Sequence, residues 1–250
     1  MKQPELVPVI LVCNDEYWLP YCLEATRGWF DRYIIYDVGS TDQTPEIIDW
    51  FIKSNPGPEY YVRYINYIPH PKIQGIFRNS MIAEARSDWY LILDADEVYT
   101  DQSFANMHTR AEKLQAQYED SGVMYGVASR IEVAADLKHA YGQDLSTPHH
   151  RLYHRTAIWT GSHPGEVPLY KQEPQTRYWD KEIVCYHFHN PERSSKDADV
   201  PKRLERRPRG TYRPGEATDF NLLQELPILS GRIENFPVNP LLEELQSEHT

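Results

Sequence analysis

The chain has 250 residues, 40% hydrophobic and 25% charged, enough apolar material for one large domain with a full core. Its formal net charge of −11 argues against general nucleic-acid binding. No apolar run approaches the ~20 residues that span a bilayer. Met1–Pro8 lacks the basic-then-apolar pattern of a secretory leader. Cys13, Cys22 and Cys185 have neither paired nor metal-ligand spacing, so a reducing, cytoplasmic compartment is expected.

Val7–Cys13 reads as an apolar strand, and Asn14–Glu16 breaks it and is placed to cap a helix from Tyr17 to about Gly28. Tyr33–Tyr36 is a second strand that ends in the acidic turn Asp37-Val38-Gly39-Ser40-Thr41-Asp42. Pro45 opens a helix over Thr44–Lys53, Asn55–Pro58 turns, and Tyr60–Tyr67 is a third strand. A helix over Phe77–Ala85 leads into Trp89–Leu93, five bulky apolar residues that suit a strand buried on both faces. Strands alternating with helices predict a mostly parallel α/β sheet. A surface helix over Ser103–Tyr118 follows. Strands at Val123–Val133, Arg151–Arg155 and Ile183–Phe188 then suggest an added antiparallel layer. Phe220–Leu226 and Pro240–Leu245 read as short helices that pack back, with Gln246–Thr250 frayed.

The chemistry gathers where Trp89–Leu93 ends, in Asp94, Asp96 and Glu97. Strand alternation places Asp94 and Asp96 on one side of the chain. Ligands of open α/β sheets bind at the carboxyl ends of strands. Two carboxylates there call for a cation, and hard divalent ions such as Mg²⁺ or Mn²⁺ take carboxylate and phosphate oxygens together. In a parallel sheet the loops Asn14-Asp15-Glu16, Asp37–Asp42 and Asp94-Ala95-Asp96 share one crevice.

This ordered set resembles the GT-A glycosyltransferases of the family 2 type, with Arg78-Asn79 as the Arg-Asn pair before the central strand. The resemblance covers about Val7–Val98 and thins to scattered positions up to Asn190. It implies a GT-A fold, a nucleotide-diphosphate sugar donor with uridine favoured, Mn²⁺ or Mg²⁺ as cofactor, and an acceptor that the sequence leaves unknown. It implies nucleotide contacts from Cys13, Asn14, Glu16, Asp37, Arg78, Asp94 and Ala95, with Asp37 on the base. It implies metal ligation by Asp96, assisted by Asp94, and by a late-strand histidine. Of the two in Tyr186-His187-Phe188-His189-Asn190, His189 is nearer the strand's end and is preferred to His187.

Inverting transfer needs a base for the acceptor hydroxyl. Trp159-Thr160-Gly161-Ser162-His163-Pro164-Gly165-Glu166 stands where family members carry a Trp and a His-Glu, so Glu166 is the candidate and His163 its alternate. The chain departs from the pattern in three places. Val38 replaces an Asp, Cys13 replaces a frequent aromatic residue, and Pro164-Gly165 splits the His-Glu pair. The expected organisation is a catalytic domain over 1–190, with a nucleotide-binding half (1–100) and an acceptor half (101–190). A lid and short helices over 191–250 would pack on the same domain. Glu192–Arg213 carries eight basic residues against four acidic ones, a composition suited to a lid over a diphosphate. The competing functions are a nucleotidyltransferase and a nucleotide-sugar-binding protein with impaired turnover. The acidic Asn14-Asp15-Glu16 loop does not suit the triphosphate of the former.

Overall fold

The computed structural model describes residues 5–66, 74–121, 125–141, 148–160, 167–169, 177–200, 218–231, 233 and 235–248. Strand β1 (Leu6–Val12) is the axis of the parallel part of the sheet. It pairs in parallel with β2 (Arg32–Asp37) on one side and β4 (Trp89–Ile92) on the other. Helix α1 (Leu19–Ala25) links β1 to β2, α2 (Thr44–Ser54) links β2 to the edge strand β3 (Glu59–Tyr64), and α3 (Gln74–Ala85) leads into β4. Three neighbouring parallel strands thus release their loops along one edge.

The reason for this arrangement is visible in the side chains. On β1, Leu6, Ile10 and Val12 join a core with α1, α2 and the long helix α4 (Asp101–Ser121), while Val7 and Val9 face a second core with α3. On β4, Trp89 and Leu91 take the first side and Tyr90 and Ile92 the second. A strand covered by helices on both faces has no polar face to show, hence its unbroken apolar run. Each such side chain contributes about 1.5–3 kcal/mol of burial.

The sheet then changes direction. After β4 comes a three-residue strand, β5 (Glu97–Tyr99), and beyond α4 the strands β6 (Tyr125–Val133), β7 (His139–Tyr141) and β8 (Pro148–His154). β8 pairs antiparallel to β4 and to β6, and β7 antiparallel to β6. The hairpin β9 (Ile158–Thr160) and β10 (Val167–Leu169) forms a separate pair. The long strand β11 (Arg177–His187) lies parallel to β6 and antiparallel to β5. A two-residue strand, β12 (Thr218–Asp219), adds to β7. These strands therefore extend the central sheet, correcting the expected separate antiparallel layer. The fold class itself stands: a mostly parallel α/β core with a smaller antiparallel part.

Several boundaries differ from expectation. α1 is confined to seven residues, because Asn14–Glu16 bind the neighbouring loop and the chain turns before Leu19 without a side-chain cap. α3 starts at Gln74, three residues early, and α4 extends past Tyr118 to Ser121. β3 stops at Tyr64; residue 67 lies outside the described residues. β11 begins at Arg177, with a register shift between Asp180 and Val184 that hid its first half from a periodicity argument. The final helices are α5 (Leu222–Glu225), continued by a 3₁₀ turn at Pro227–Ser230, and α6 (Pro240–Ser247). Helix α6 runs on through Gln246 and Ser247, part of the stretch expected to be frayed, with Asn239 accepting the backbone N–H of Leu241 at 3.0 Å. Among the described residues, no helix is long and apolar enough to cross a membrane.

These last helices close a third core with Trp18, Tyr186 and Phe188. Trp18 is fully buried, stacks on Phe188 with ring centroids 4.1 Å apart, and donates its indole N–H to the Glu192 carbonyl at 2.7 Å. Replacing Trp18 with Ala removes the stack and one hydrogen bond to that carbonyl, which also accepts the Asn239 side-chain N–H at 2.9 Å. The expected cost is about 3–5 kcal/mol, read as a lower urea midpoint. Ile76→Ala, at a position 64% exposed, should shift stability by no more than about 0.5 kcal/mol in the same assay.

Candidate functional site

The first two loops are tied to each other. Asn14 takes a left-handed backbone conformation (φ 52°), and its side-chain oxygen accepts the Thr41 N–H at 2.7 Å while its own N–H reaches the Ser40 hydroxyl at 2.9 Å. Glu16 accepts the Gln43 N–H at 3.1 Å and the Ser195 N–H at 2.8 Å. Gly39 (φ 87°) supplies the turn that lets Asp37 Oδ1 accept the Ser40 N–H at 2.8 Å. The other carboxylate oxygen of Asp37, Oδ2, is buried with no hydrogen-bond partner among the described residues. Burial is the main cause of the raised Asp37 pKa. Val38 and Cys13, where the family pattern has an acid and an aromatic residue, are both nearly buried, and Cys13 donates its N–H to Asp15 Oδ2.

The chain turns beyond β4, with the Glu97 N–H bonded to the Asp94 carbonyl at 3.0 Å. Strand alternation therefore does not carry through Asp94-Ala95-Asp96, and the two aspartates meet different partners. Asp94 lies between Arg78 (3.3 Å) and Arg151 (2.8 Å). Arg151 also pairs with Glu97, which is a fully buried strand residue rather than part of an exposed acidic turn. Arg78 is 7% exposed and its guanidinium lies 5.1 Å from the Trp159 ring centroid. Gly75 lies against the Trp159 backbone, where an added Cβ would make an ordinary contact 3.4 Å from the carbonyl oxygen. Asn79 holds the same backbone, accepting the Trp159 N–H at 2.8 Å and donating to its carbonyl at 2.9 Å.

Asp96 is 1% exposed and faces the end of β11. Its Oδ2 lies 3.5 Å from His187 Nε2, 3.9 Å from His189 Nδ1 and 2.5 Å from Arg193 Nη1. Arg193 also reaches Asp15 at 2.6 Å. The Phe188 N–H donates to the Asp96 carbonyl at 2.7 Å, which locks the loop to the strand. Ligand atoms of Asp96, His187 and His189 all lie within 4.8 Å of one another.

Electrostatics separate these groups. Burial pushes the Asp94 carboxyl up, but Arg151 and Arg78 more than offset it and hold its pKa at about 2. Asp96 behaves likewise, held well below the usual range against burial by Arg193 and His187. Glu97, dominated by burial despite Arg151, is raised to about 7. Burial depresses His187, but the carboxylates of Glu132 and Asp96 override it and raise its pKa to about 10. His189 goes the other way, down to about 4, chiefly by burial.

The trio fits a divalent cation. Metal–ligand bonds of about 2.0–2.2 Å put neighbouring donors some 3–4 Å apart, comparable to the separations here. Asp96 Oδ2 accepts no well-aligned hydrogen bond among the described residues, so a lone pair is available. A carboxylate with two imidazoles suits Mn²⁺ and later transition ions better than Mg²⁺, which favours oxygen.

Of the residues singled out from sequence, Asp96, His187 and His189 come together as this trio, Asp94 stands beside it among arginines, and Arg78 and Asp37 flank it. His187, not the preferred His189, makes the closer approach to Asp96. His163 and Glu166 lie outside the described residues, bracketed by β9 and β10. The first part of the expected lid, 192–200, is fastened down. The Tyr17 N–H donates to the Arg193 carbonyl at 3.0 Å and Ser194 bonds Asp42; residues 201–217 lie outside the described residues. Arg151, Glu132 and Arg193 were missed as site residues. Glu132 sits inside an ordinary alternating strand, and only strand pairing brings it to His187. Arg193 had a legible signal, as the first basic residue after the His-x-His end of β11.

Comparison with known proteins agrees with this geometry. The sequence pattern of glycosyl transferase family 2 matches residues 9–190. A mannosyltransferase of Pyrobaculum calidifontis, solved in complex with GDP-Man and Mn²⁺, superposes over 100% of this chain and 71% of its own with a TM-score of 0.53 at 13% identity. TarS of S. aureus (residues 1–349) gives 0.47 over 90% of this chain and 79% of its own at 11% identity. A TPR repeat-containing protein of Synechococcus elongatus is 29% identical over 114 residues, 44% of this chain; the chain spans a quarter of that relative's length. With a family pattern running from the middle of β1 to just beyond β11, and with a GT-A-type sheet around the three converging loops, the chain belongs to glycosyl transferase family 2.

Proposed function

We propose that the chain transfers a sugar from a nucleotide-diphosphate donor, with uridine as the favoured base and Mn²⁺ as the favoured ion, to an acceptor not yet identified. The observation that carries this reading is the trio Asp96, His187 and His189, with Asp96 following β4 at the same sheet edge where β2 ends in Asp37, whose Oδ2 is buried without a hydrogen-bond partner among the described residues. Asp37 Oδ2 asks for an N–H donor. Uracil and guanine offer a ring N–H on that edge; cytosine and adenine offer an acceptor. The family resemblance of the Asp37 turn favours uridine between the two. Asp96, His187 and His189 would hold the ion, and Asp94, fixed by Arg78 and Arg151, would bind ribose or water. Bound there, a divalent cation would neutralise charge developing on the leaving nucleoside diphosphate.

The base for the acceptor hydroxyl is proposed to be Glu166, with His163 as its alternate, because the bracketing hairpin is anchored through Trp159 to Arg78 and Asn79. In this reading residues 1–100 bind nucleotide, 101–190 receive the acceptor, and 191–250 pack on the same domain. The three free, buried cysteines accord with a cytoplasmic site of action.

Three experiments test the proposal. Asp96→Ala should abolish Mn²⁺-enhanced binding of UDP in calorimetry and leave the circular dichroism unchanged; Mn²⁺-enhanced binding in the mutant removes Asp96 as a ligand. In thermal shift with Mn²⁺, UDP should stabilise more than GDP and CDP should stabilise least, with Asp37→Asn erasing the preference. Stabilisation by GDP alone overturns the uridine assignment. Lastly, NMR of fresh product from an α-linked donor should show a β anomer, and Glu166→Gln should lower kcat by about 10²–10⁴-fold. Near-normal turnover with a β product moves the base elsewhere, and an α product excludes single inversion.

A further inference from the structure

Three adjacent strands set Glu97, His187 and Glu132 in one row: His187 pairs with Glu97 across β5 and with Glu132 across β6. Residues paired across strands point to the same face. Glu132 is 4% exposed, and both of its carboxylate oxygens lie 2.9 Å from His187 Nδ1. Arg130, two residues earlier on the same face of β6, forms an ion pair with Glu132, its Nε 2.7 Å from Oε1. The opposite ring nitrogen of His187 is the one that faces Asp96. His189 is different: among the described residues it has no hydrogen-bond partner to fix its ring, and its side chain is 34% exposed. The two imidazoles are stacked 5.3 Å apart but are not equivalent.

We infer that Glu132 is a positioning residue for the metal centre: it accepts the His187 Nδ1 proton, fixes the ring, and presents Nε2 as the ligand shared with Asp96. The inference rests on the metal reading given above and goes beyond it in ranking the ligands. A carboxylate behind a ligating imidazole sets its tautomer and orientation and raises its basicity, and its removal typically weakens metal binding by about 10- to 100-fold. His187 is then the fixed ligand of the centre, and His189 the adjustable one.

The test is Mn²⁺ binding to the full chain without nucleotide, measured by electron paramagnetic resonance of free and bound ion. Imidazole nitrogen modulation in the electron spin echo is recorded alongside. Glu132→Gln should weaken Mn²⁺ binding by about 10- to 100-fold and diminish the nitrogen modulation, with the metal-free protein keeping its circular dichroism. Glu132→Asp, which keeps the charge on a shorter arm, should fall between wild type and Glu132→Gln, and it decides the matter if the Gln variant does not fold. A lower melting temperature with unchanged Mn²⁺ affinity makes Glu132 a structural partner only and overturns the inference while the metal reading stands. Wild-type protein that neither binds Mn²⁺ nor shows nitrogen modulation overturns both.

Discussion

Buried negative charge is what the site has to reconcile. Asp15, Asp94, Asp96, Glu97 and Glu132 are drawn together at the ends of strands, and all but Asp94 are at most 4% exposed as residues. Carboxylates so placed persist only with paired cations, because an uncompensated buried charge costs several kcal/mol. The protein answers with Arg78, Arg151, Arg193 and the His187 imidazole, each delivered by a different segment. The folding of the second half of the chain is thereby coupled to the first. Without β8, β11 and the residues just after it, Asp94 and Glu97 would lose Arg151 and Asp96 would lose His187 and Arg193, leaving Asp94 with Arg78.

That balance also divides the work among the acids. Asp94 and Glu97 share one arginine and brace the loop, whereas Asp96 faces two histidines and the Arg193 guanidinium. Arg193, on the same oxygen of Asp96, stands where a second cation would compete with it. One carboxylate oxygen cannot be fully shared between a guanidinium and an ion, so an ion bound at Asp96 would loosen the contact that Arg193 makes there.

Much of this was legible in the sequence where signals are local. The apolar runs of β1, β2 and β4, the Asp37–Asp42 turn and the Asp-x-Asp were read from a few adjacent residues, and they define the sheet edge and the family. What escaped was what depends on pairing between distant strands. Glu132 looks like an outward-facing strand residue until β6 is set beside β11, and Arg151 like a surface cation until β8 is set beside β4. The alternation argument for Asp94 and Asp96 failed for a related reason: the backbone stops being a strand at that point and turns. That His187 lies closer to Asp96 than His189 does follows from the same pairing, which no count along the chain reveals.

The last residues of β11 and those just after it serve two masters. His187 and His189 face the acids, while Tyr186 and Phe188, in the alternate positions, carry the core against Trp18 and the terminal helices. A single inserted or deleted residue after the register shift would exchange the two sets, turning imidazoles into the apolar core and aromatic rings toward the acids. The length of the strand's end is thereby fixed from two sides at once, by the acids and by the core. The terminal helices are coupled, through the four consecutive side chains Tyr186 to His189, to the histidines that face Asp96.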